Sequence, residues 1–495
     1  MVINPVMTIL GWSLSLLAAL MAIPCLFALE RSTTGVATAF FVSAIITLFF
    51  GGALIFASRG ERTVLNRRNT FLVTTLVWVV IPMFAALPFY LSGTLNSPVD
   101  AYFEALSGFS TNGASVFVLI EELPKSIILW RALLQWFGGF AFIIFLSILV
   151  SAISIPGSSP LSKALARSTR RRMSRRVRDA ILSTLSVYAI LTGLCIVFLW
   201  FTGLSAFNAL CYAFSTISTG GFTVSSHGAE IFENRMTELV LMVFMFIGSI
   251  NFALHWAFFN GNRRAYFDNP EYRYFIYVFL ILLVTMMIML YLETDFTFIQ
   301  SLRYAVFNVI SFLSTTGYQM DPVAGMGEIY WPIGALLLLM IAITIGGSTG
   351  STAGGLKLMR VAILFKLFTQ EVRSLSYPSA VSVLRYSKDK ITNDNILSVW
   401  ALVTFYAFTI TIVTLCLSLA DVEVESALAM ATATLATAGA AVSPELVGQT
   451  DPAHGIYGYG GLPDAAKLLL CATMILGRLE FFAVLALFNP ALWKR

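Results

Sequence analysis

Apolar runs close to 20 residues long recur from one end of this 495-residue chain to the other, with no large polar stretch between them. As a helix, a run of that length crosses a hydrocarbon core roughly 30 Å thick. Lipid offers backbone N–H and C=O groups no partners, so the chain must satisfy them within helices. Composition agrees, since 58% hydrophobic and 12% charged residues, with a mean hydropathy of +0.83, leave too few polar side chains to coat a water-soluble domain. No stretch is left for a soluble catalytic module. The first run, roughly 7 to 29, lacks a basic leader and is followed at once by a second, roughly 37 to 57. It therefore reads as an uncleaved span, with the mature chain starting near Met1.

Cys25, Cys195, Cys211, Cys416 and Cys471 all lie in apolar stretches without disulfide or metal spacing, and read as small core residues. His227, His255 and His454 are scattered, with no HExxH or paired-cysteine motif beside them, so no transition-metal centre is expected. Charge sets the topology. Of 31 Lys and Arg, 24 fall in loops 58–69, 155–180, 260–274 and 357–392 or at the C-terminus, including Arg170, Arg171, Arg172, Arg175 and Arg176. The positive-inside rule places these segments, and both termini, in the cytoplasm. The opposite loops hold 18 of the 26 acidic residues, which either form a solvated rim or concentrate cations by their field.

Beyond the first two spans one pattern comes round four times: a long apolar span, a short apolar segment ending in Thr-x-Gly, and another long span. The endings read FSTNGA (Phe109 to Ala114), ISTGGF (Ile217 to Phe222), LSTTGY (Leu313 to Tyr318) and LATAGA (Leu435 to Ala440). The segments before them, roughly 101–110, 205–217, 299–313 and 424–436, are too short to span. With both ends on the outer side, each must dip in as a half-helix and return as extended chain. Irregular backbone at membrane depth is tolerated where it is buried in protein or lines water. One Thr-x-Gly could be a helix-packing glycine; four at matching places argue for a central pore. The expected fold is an all-α membrane protein of about ten transmembrane helices, with four re-entrant loops in pseudo-fourfold repeats around one pore. Two extra N-terminal spans occupy 1–60. The repeats occupy 61–180 with a basic cytoplasmic loop, 181–270, 271–392 and 393–495.

The residue types suit a cation. Glycine permits backbone angles that turn successive carbonyls toward one axis, and Thr111, Thr219, Thr315 and Thr437 add hydroxyl or carbonyl oxygens. Half-helices aim their partially negative C-terminal ends at the cavity. Rings of carbonyl oxygens can replace the hydration shell of potassium.

Gly346, Gly347, Ser348, Thr349, Gly350, Ser351, Thr352, Ala353, Gly354 and Gly355 interrupt a hydrophobic region running from about 331 to 369. Residues of such poor helix propensity predict a break, with small-residue helix packing as the alternative. A phosphate loop is excluded, because GK[ST] is absent and Leu356 separates Lys357 from the glycines. Arg478 lies deep in the last span, where an arginine costs roughly 2.5 to 3.5 kcal/mol and so faces protein or water. Glu480, two residues on, lies on a different helix face and does not simply neutralise it. Gln135 and Asn251, in other second spans, are expected to bond between helices.

These four endings, with WRALLQWFGGF (Trp130 to Phe140), FMFIGSINFALHW (Phe244 to Trp256), GGSTGSTAGGLK (Gly346 to Lys357) and LGRLEFF (Leu476 to Phe482), resemble the Trk/Ktr/HKT superfamily of potassium transporters over nearly the whole length. The two additional N-terminal spans resemble its TrkH-type branch. The resemblance implies a potassium filter at Thr111, Asn112 and Gly113, at Thr219, Gly220 and Gly221, at Thr315, Thr316 and Gly317, and at Thr437, Ala438 and Gly439. Glycine at all four positions goes with potassium; a serine in the first loop goes with sodium. The fourth loop departs from a common Asn-x-Gly-Pro-Gly form, reading Thr437, Ala438, Gly439, Ala440, Ala441.

The resemblance also makes Gly346 to Gly355 an intramembrane gate below the filter, with Lys357 and Arg360 coupling it to the cytoplasmic surface and Arg478 as a positive barrier on the conduction path; capping of neighbouring loop carbonyls is the alternative for Arg478. It implies a homodimer in the bacterial inner membrane, and a cytoplasmic TrkA-type nucleotide-binding partner that carries NAD(H) and ATP. The chain itself has no nucleotide motif and needs no organic cofactor, only the K+ it conducts. The basic run could instead bind anionic lipid or serve only to orient insertion. No enzyme constellation of paired carboxylates, serine with base or metal ligands occurs in the spans, and no nucleic-acid partner is implied. A sodium-permeable or ion-coupled potassium symporter on the same scaffold is the alternative.

Overall fold

The computed structural model describes residues 4–30, 33–58, 67–153, 170–225, 234–320, 331–377, 385–386, 389–391, 393–442 and 458–479. Glu480, His227, His454 and most of the basic loop before Arg170 lie outside the described residues. Among the described residues, seven helices are long and apolar enough to cross a membrane: Asn4–Glu30, Thr34–Ala57, Asn69–Leu91, Lys125–Phe145, Ile181–Phe201, Pro270–Glu293 and Asn395–Ser418. An eighth span is a bent pair, Arg235–Gly248 and Phe252–Phe259, turned by 99° at the break. The second span of the third repeat is divided into Ile333–Ile345 and Leu358–Ser376, and that of the fourth, Asp464–Arg478, runs to the edge of the described residues. The second spans of the second and third repeats are thus interrupted, the latter where a break was expected, and that of the first, Lys125–Phe145, is continuous.

Asn4–Glu30 and Thr34–Ala57 form an antiparallel pair. Gly11 and Gly51 let the two backbones approach closely, a Cβ on Gly11 lying only 2.8 Å from the Gly51 carbonyl oxygen. The sole departure from an all-helical chain among the described residues is a two-residue antiparallel ladder, Arg385–Tyr386 against Asp389–Lys390.

The four short segments are helices at Pro98–Phe109, Ala206–Ile217, Phe298–Leu313 and Val424–Leu435, within three residues of the expected starts. Side chains cap three of them. Ser97 accepts from Val99 and Asp100, Ser205 accepts from Asn208, and Thr297 forms a capping box with Gln300. In the first, second and fourth repeats the second span packs on the end of the short helix through a glycine, whereas Gly346 of the third packs on Gly354. A Cβ on Gly138 would overlap the Phe109 carbonyl, one on Gly477 the Leu435 carbonyl, and one on Gly248 would sit 3.3 Å from the Ile217 oxygen. Two large cores result, one built mainly from the N-terminal spans and first two repeats around Trp78, Trp130, Tyr188 and Tyr212, the other mainly from the last two around Phe275, Met286, Phe312 and Met430.

Candidate pore and gate

The short helices all end in the same way. The amide of the threonine bonds back to the carbonyl three residues earlier, and the following amide to the carbonyl five earlier: Thr111 to Gly108 and Asn112 to Ser107, Thr219 to Thr216 and Gly220 to Ser215, Thr315 to Phe312 and Thr316 to Ser311, Thr437 to Thr434 and Ala438 to Ala433. This is a Schellman termination, which asks for a left-handed residue and so normally takes glycine. Here it takes threonine four times, at φ of 55°, 53°, 57° and 54° for Thr111, Thr219, Thr315 and Thr437. A β-branched residue in that conformation costs roughly 1–2 kcal/mol, and four such costs at one structural position mark a constrained site.

Two residues on, Gly113, Gly221 and Gly317 also take positive φ, at 82°, 80° and 82°. Gly439 does not; it opens a tight turn, Gly439–Ala441, after Ala438 at φ −132°. The four glycines nevertheless close a ring. A Cβ on Gly113 would overlap the Gly220 carbonyl oxygen of the second loop, and one on Gly221 the Thr316 oxygen of the third. One on Gly317 would lie 2.7 Å from the Ala441 amide of the fourth, and one on Gly439 would overlap Asn112 Oδ1 of the first. The Ala440 amide donates to the Asn112 carbonyl at 3.2 Å, and Asn112 Nδ2 to the Thr434 carbonyl at 2.9 Å. All twelve residues expected to form the filter are buried and meet in this ring.

Gln135 and Asn251 take other places than the interhelical ones expected. Gln135 holds the second loop, donating from Nε2 to the Gly220 carbonyl at 2.7 Å and accepting the Phe222 amide at 3.3 Å. Asn251 caps the helix that begins at Phe252. Tyr459 holds the fourth loop, its hydroxyl donating to the Gly439 carbonyl at 3.2 Å. Among the described residues Arg131 pairs with Glu104 within the first repeat, while Arg303 with Glu238 and Lys467 with Asp100 join different repeats. Of the cysteines, Cys416 is exposed and does not serve as a core residue.

Residues 346–357 fold as a loop directly against this ring, and the expected helix break is present. Gly346, Gly350, Gly355 and Lys357 take positive φ. Gly354 N donates to Thr315 Oγ1 at 2.7 Å and Gly355 N to the Ala436 carbonyl at 3.1 Å. Thr352 Oγ1 lies 3.1 Å from both the Ile217 and Gly248 carbonyls. The loop thus touches the ends of the second, third and fourth short helices. Its other side sits in the break of the bent pair, where Ser348 N donates to the Ser249 carbonyl at 2.9 Å and Phe252 N to the Gly350 carbonyl at 3.2 Å. His255 bridges that break. Its Nε2 lies 3.0 Å from the Ile247 carbonyl, which can only accept, so Nε2 carries the proton and Nδ1 accepts from Tyr266 Oη at 2.7 Å. Glu271 Oε1 accepts the Thr349 amide at 2.6 Å.

Arg478 Nη1 donates to the Thr352 carbonyl at 2.9 Å, with the guanidinium 3.6 Å from the centre of the Phe142 ring. Lys357 Nζ, 5.2 Å from the same ring, donates to the Ala353 carbonyl, and Arg360 Nη1 to the Leu356 carbonyl at 3.0 Å. Lys357 and Arg360 are buried and brace the loop from within. Arg478 follows Gly477 as Gly139 follows Gly138, Ser249 follows Gly248 and Gly347 follows Gly346. Three repeats place a small residue at this spot and the fourth places a cation.

Comparison with known proteins gives the same architecture. A family model, TrkH, cation transport protein, matches residues 36–495. The chain belongs to the TrkH family of cation transport proteins. Among TrkH relatives, the Trk system potassium uptake protein TrkH of Halomonas elongata is 31% identical over 503 residues, covering 100% of both chains. That of Escherichia coli K12 is 31% identical over 494 residues, covering 98% of each. The crystal structure of the potassium transporter TrkH from Vibrio parahaemolyticus superposes with a TM-score of 0.87 at 29% identity, covering 99% of each chain. As a TrkH-family member the chain is a multi-pass membrane transport protein.

Proposed function

We propose that this chain is the potassium-conducting membrane subunit of a Trk-type uptake system, passing K+ down its electrochemical gradient. The four re-entrant loops form the filter: Thr111 to Gly113, Thr219 to Gly221, Thr315 to Gly317 and Thr437 to Gly439. Their backbone and threonine oxygens replace water around the ion. The observation that carries this reading is the closed ring, in which each filter glycine packs directly on the next loop. Residues 346–355 are the gate, held below the filter with Arg478 supplying a positive charge beneath it. The protein works as a homodimer in the inner membrane, with both termini in the cytoplasm, and docks a TrkA-type subunit that binds NAD(H) and ATP. The names of the Halomonas and Escherichia relatives support the potassium assignment.

A sodium-permeable or ion-coupled symporter on this scaffold is the second reading. It is favoured by the fourth loop, where Gly439 lacks the positive φ of its three counterparts. Potassium and sodium flux compared in proteoliposomes separates the two: a clear preference for potassium is expected, and equal fluxes would overturn it. Growth of an uptake-deficient strain on limiting potassium, with and without a nucleotide-binding partner, tests the coupling to that subunit.

A further inference from the structure

Two buried polar side chains occupy the same register behind opposite loops of the ring. Glu104 stands nine residues before Gly113, and Asn308 nine before Gly317. Each accepts the amide three residues beyond its glycine: Val116 N on Glu104 Oε2 at 2.9 Å, and Met320 N on Asn308 Oδ1 at 3.2 Å. Asn308 also returns a bond, Nδ2 donating to the Met320 carbonyl at 3.2 Å and to the Tyr304 carbonyl at 3.0 Å. Glu104 is completed by a charge. Its Oε1 accepts from Arg131 Nε at 2.7 Å and from Ser115 Oγ at 3.1 Å, while Arg131 Nη2 donates to Ser115 Oγ at 3.0 Å. Arg131 reaches on into the second repeat, with Nη1 3.5 Å from the Thr223 carbonyl and the guanidinium 4.1 Å from the centre of the Phe222 ring. Glu104 and Asn308 are wholly inaccessible and Arg131 is 1% exposed.

A buried carboxylate and a buried amide are costly unless fully bonded, and here the bonds go to the chain that leaves the ring. The same register holds Tyr212 in the second repeat and Met430 in the fourth. Those two loops are gripped differently, by Gln135 on Gly220 and Phe222 and by Tyr459 on Gly439. We propose that Glu104 with Arg131, and Asn308, are positioning residues for ion selection: they fix the outgoing strands of the first and third loops and so hold the ring at the width that discriminates potassium from sodium. This rests on the potassium-filter reading above.

The test uses the full-length protein in planar bilayers, reading the potassium-to-sodium permeability ratio from bi-ionic reversal potentials. Asn308→Leu keeps the branched shape and removes both bonds to Met320 along with that to Tyr304, and Glu104→Gln removes the charge. In either variant the ratio is expected to fall by about threefold or more, the scale of one lost buried hydrogen bond, with folded yield retained. Met430→Leu, in the same register without a polar clamp, should leave it unchanged. Hydrogen exchange gives a readout independent of which ion passes: amides of 113–117 and 317–320 should exchange faster in Glu104→Gln and Asn308→Leu respectively. A wild-type ratio in both variants together with unaltered exchange would overturn the inference. So would loss of folded protein in both while Met430→Leu folds, since the residues would then be structural only. A wild-type protein that fails to prefer potassium would count against the potassium reading, and exchange would still decide whether the clamps hold the strands.

Discussion

The hydroxyl of Thr315 accepts the amide of Gly354 at 2.7 Å, joining the third pore loop directly to the glycine-rich loop beneath it. Thr315→Val keeps the shape and removes this acceptor, leaving a buried N–H unpaired at a cost of about 1–3 kcal/mol. Displacement of the gate should become easier by roughly fivefold or more. Potassium flux into proteoliposomes reads the change, and flux equal to wild type would mean the contact does not restrain the gate.

Deleting Gly347 to Gly354 removes every contact between the gate and the ends of the second, third and fourth short helices except that of Gly355 with Ala436. Flux should rise well above wild type. Unchanged or abolished flux from a chain that elutes as folded protein would argue against an obstructing loop.

Arg478→Met removes both the bond to the Thr352 carbonyl and the cation beneath the ring. Single-channel recordings should show a higher open probability. Burying an arginine is expensive, so the thermal midpoint should hold steady or rise; a fall of several degrees would reassign Arg478 to a structural role.

The ring glycines should respond unequally. Gly113→Ala and Gly221→Ala drive a methyl into a neighbouring backbone carbonyl and also strain a positive φ, so selectivity should be lost. Gly439→Ala meets chiefly the Asn112 side chain and has no positive φ. Adding Asn112→Ser should partly restore its potassium preference, and a double-mutant cycle showing no coupling would refute the packing assigned to this corner.

His255→Phe keeps a ring beside Phe252 but removes the bridge from Tyr266 to the Ile247 carbonyl across the broken span. Loss of the bonds should destabilise the fold by about 1–3 kcal/mol, visible as a lower thermal midpoint in detergent. An unchanged midpoint would show that the gate loop alone maintains the break.

Much of this arrangement was legible because it repeats. Four Thr-x-Gly endings at matching places located the short helices to within three residues, and the run Gly346 to Gly355 announced its break by composition. The bend at 249–251 was not legible, since Ser249, Ile250 and Asn251 carry no proline or glycine run; the break exists because the gate loop supplies the missing bonds from another repeat. Gln135 was recognisable as a polar residue in a span, yet its partner lies 85 positions away in the second loop. Glu104, Asn308 and Glu271 could have been flagged as polar groups on apolar segments, but their roles depend on which backbone amide comes near, a matter of tertiary packing.

The cation at Arg478, where the other repeats carry Gly139, Ser249 and Gly347, has a consequence for the architecture itself. A conduit built from four identical polypeptides must carry any axial charge in quadruplicate, and four guanidiniums would repel one another as well as every permeant ion. Duplication within one polypeptide frees each quarter to diverge, so a single charge can stand off-centre at a tolerable electrostatic cost, tuned by mutation at one codon.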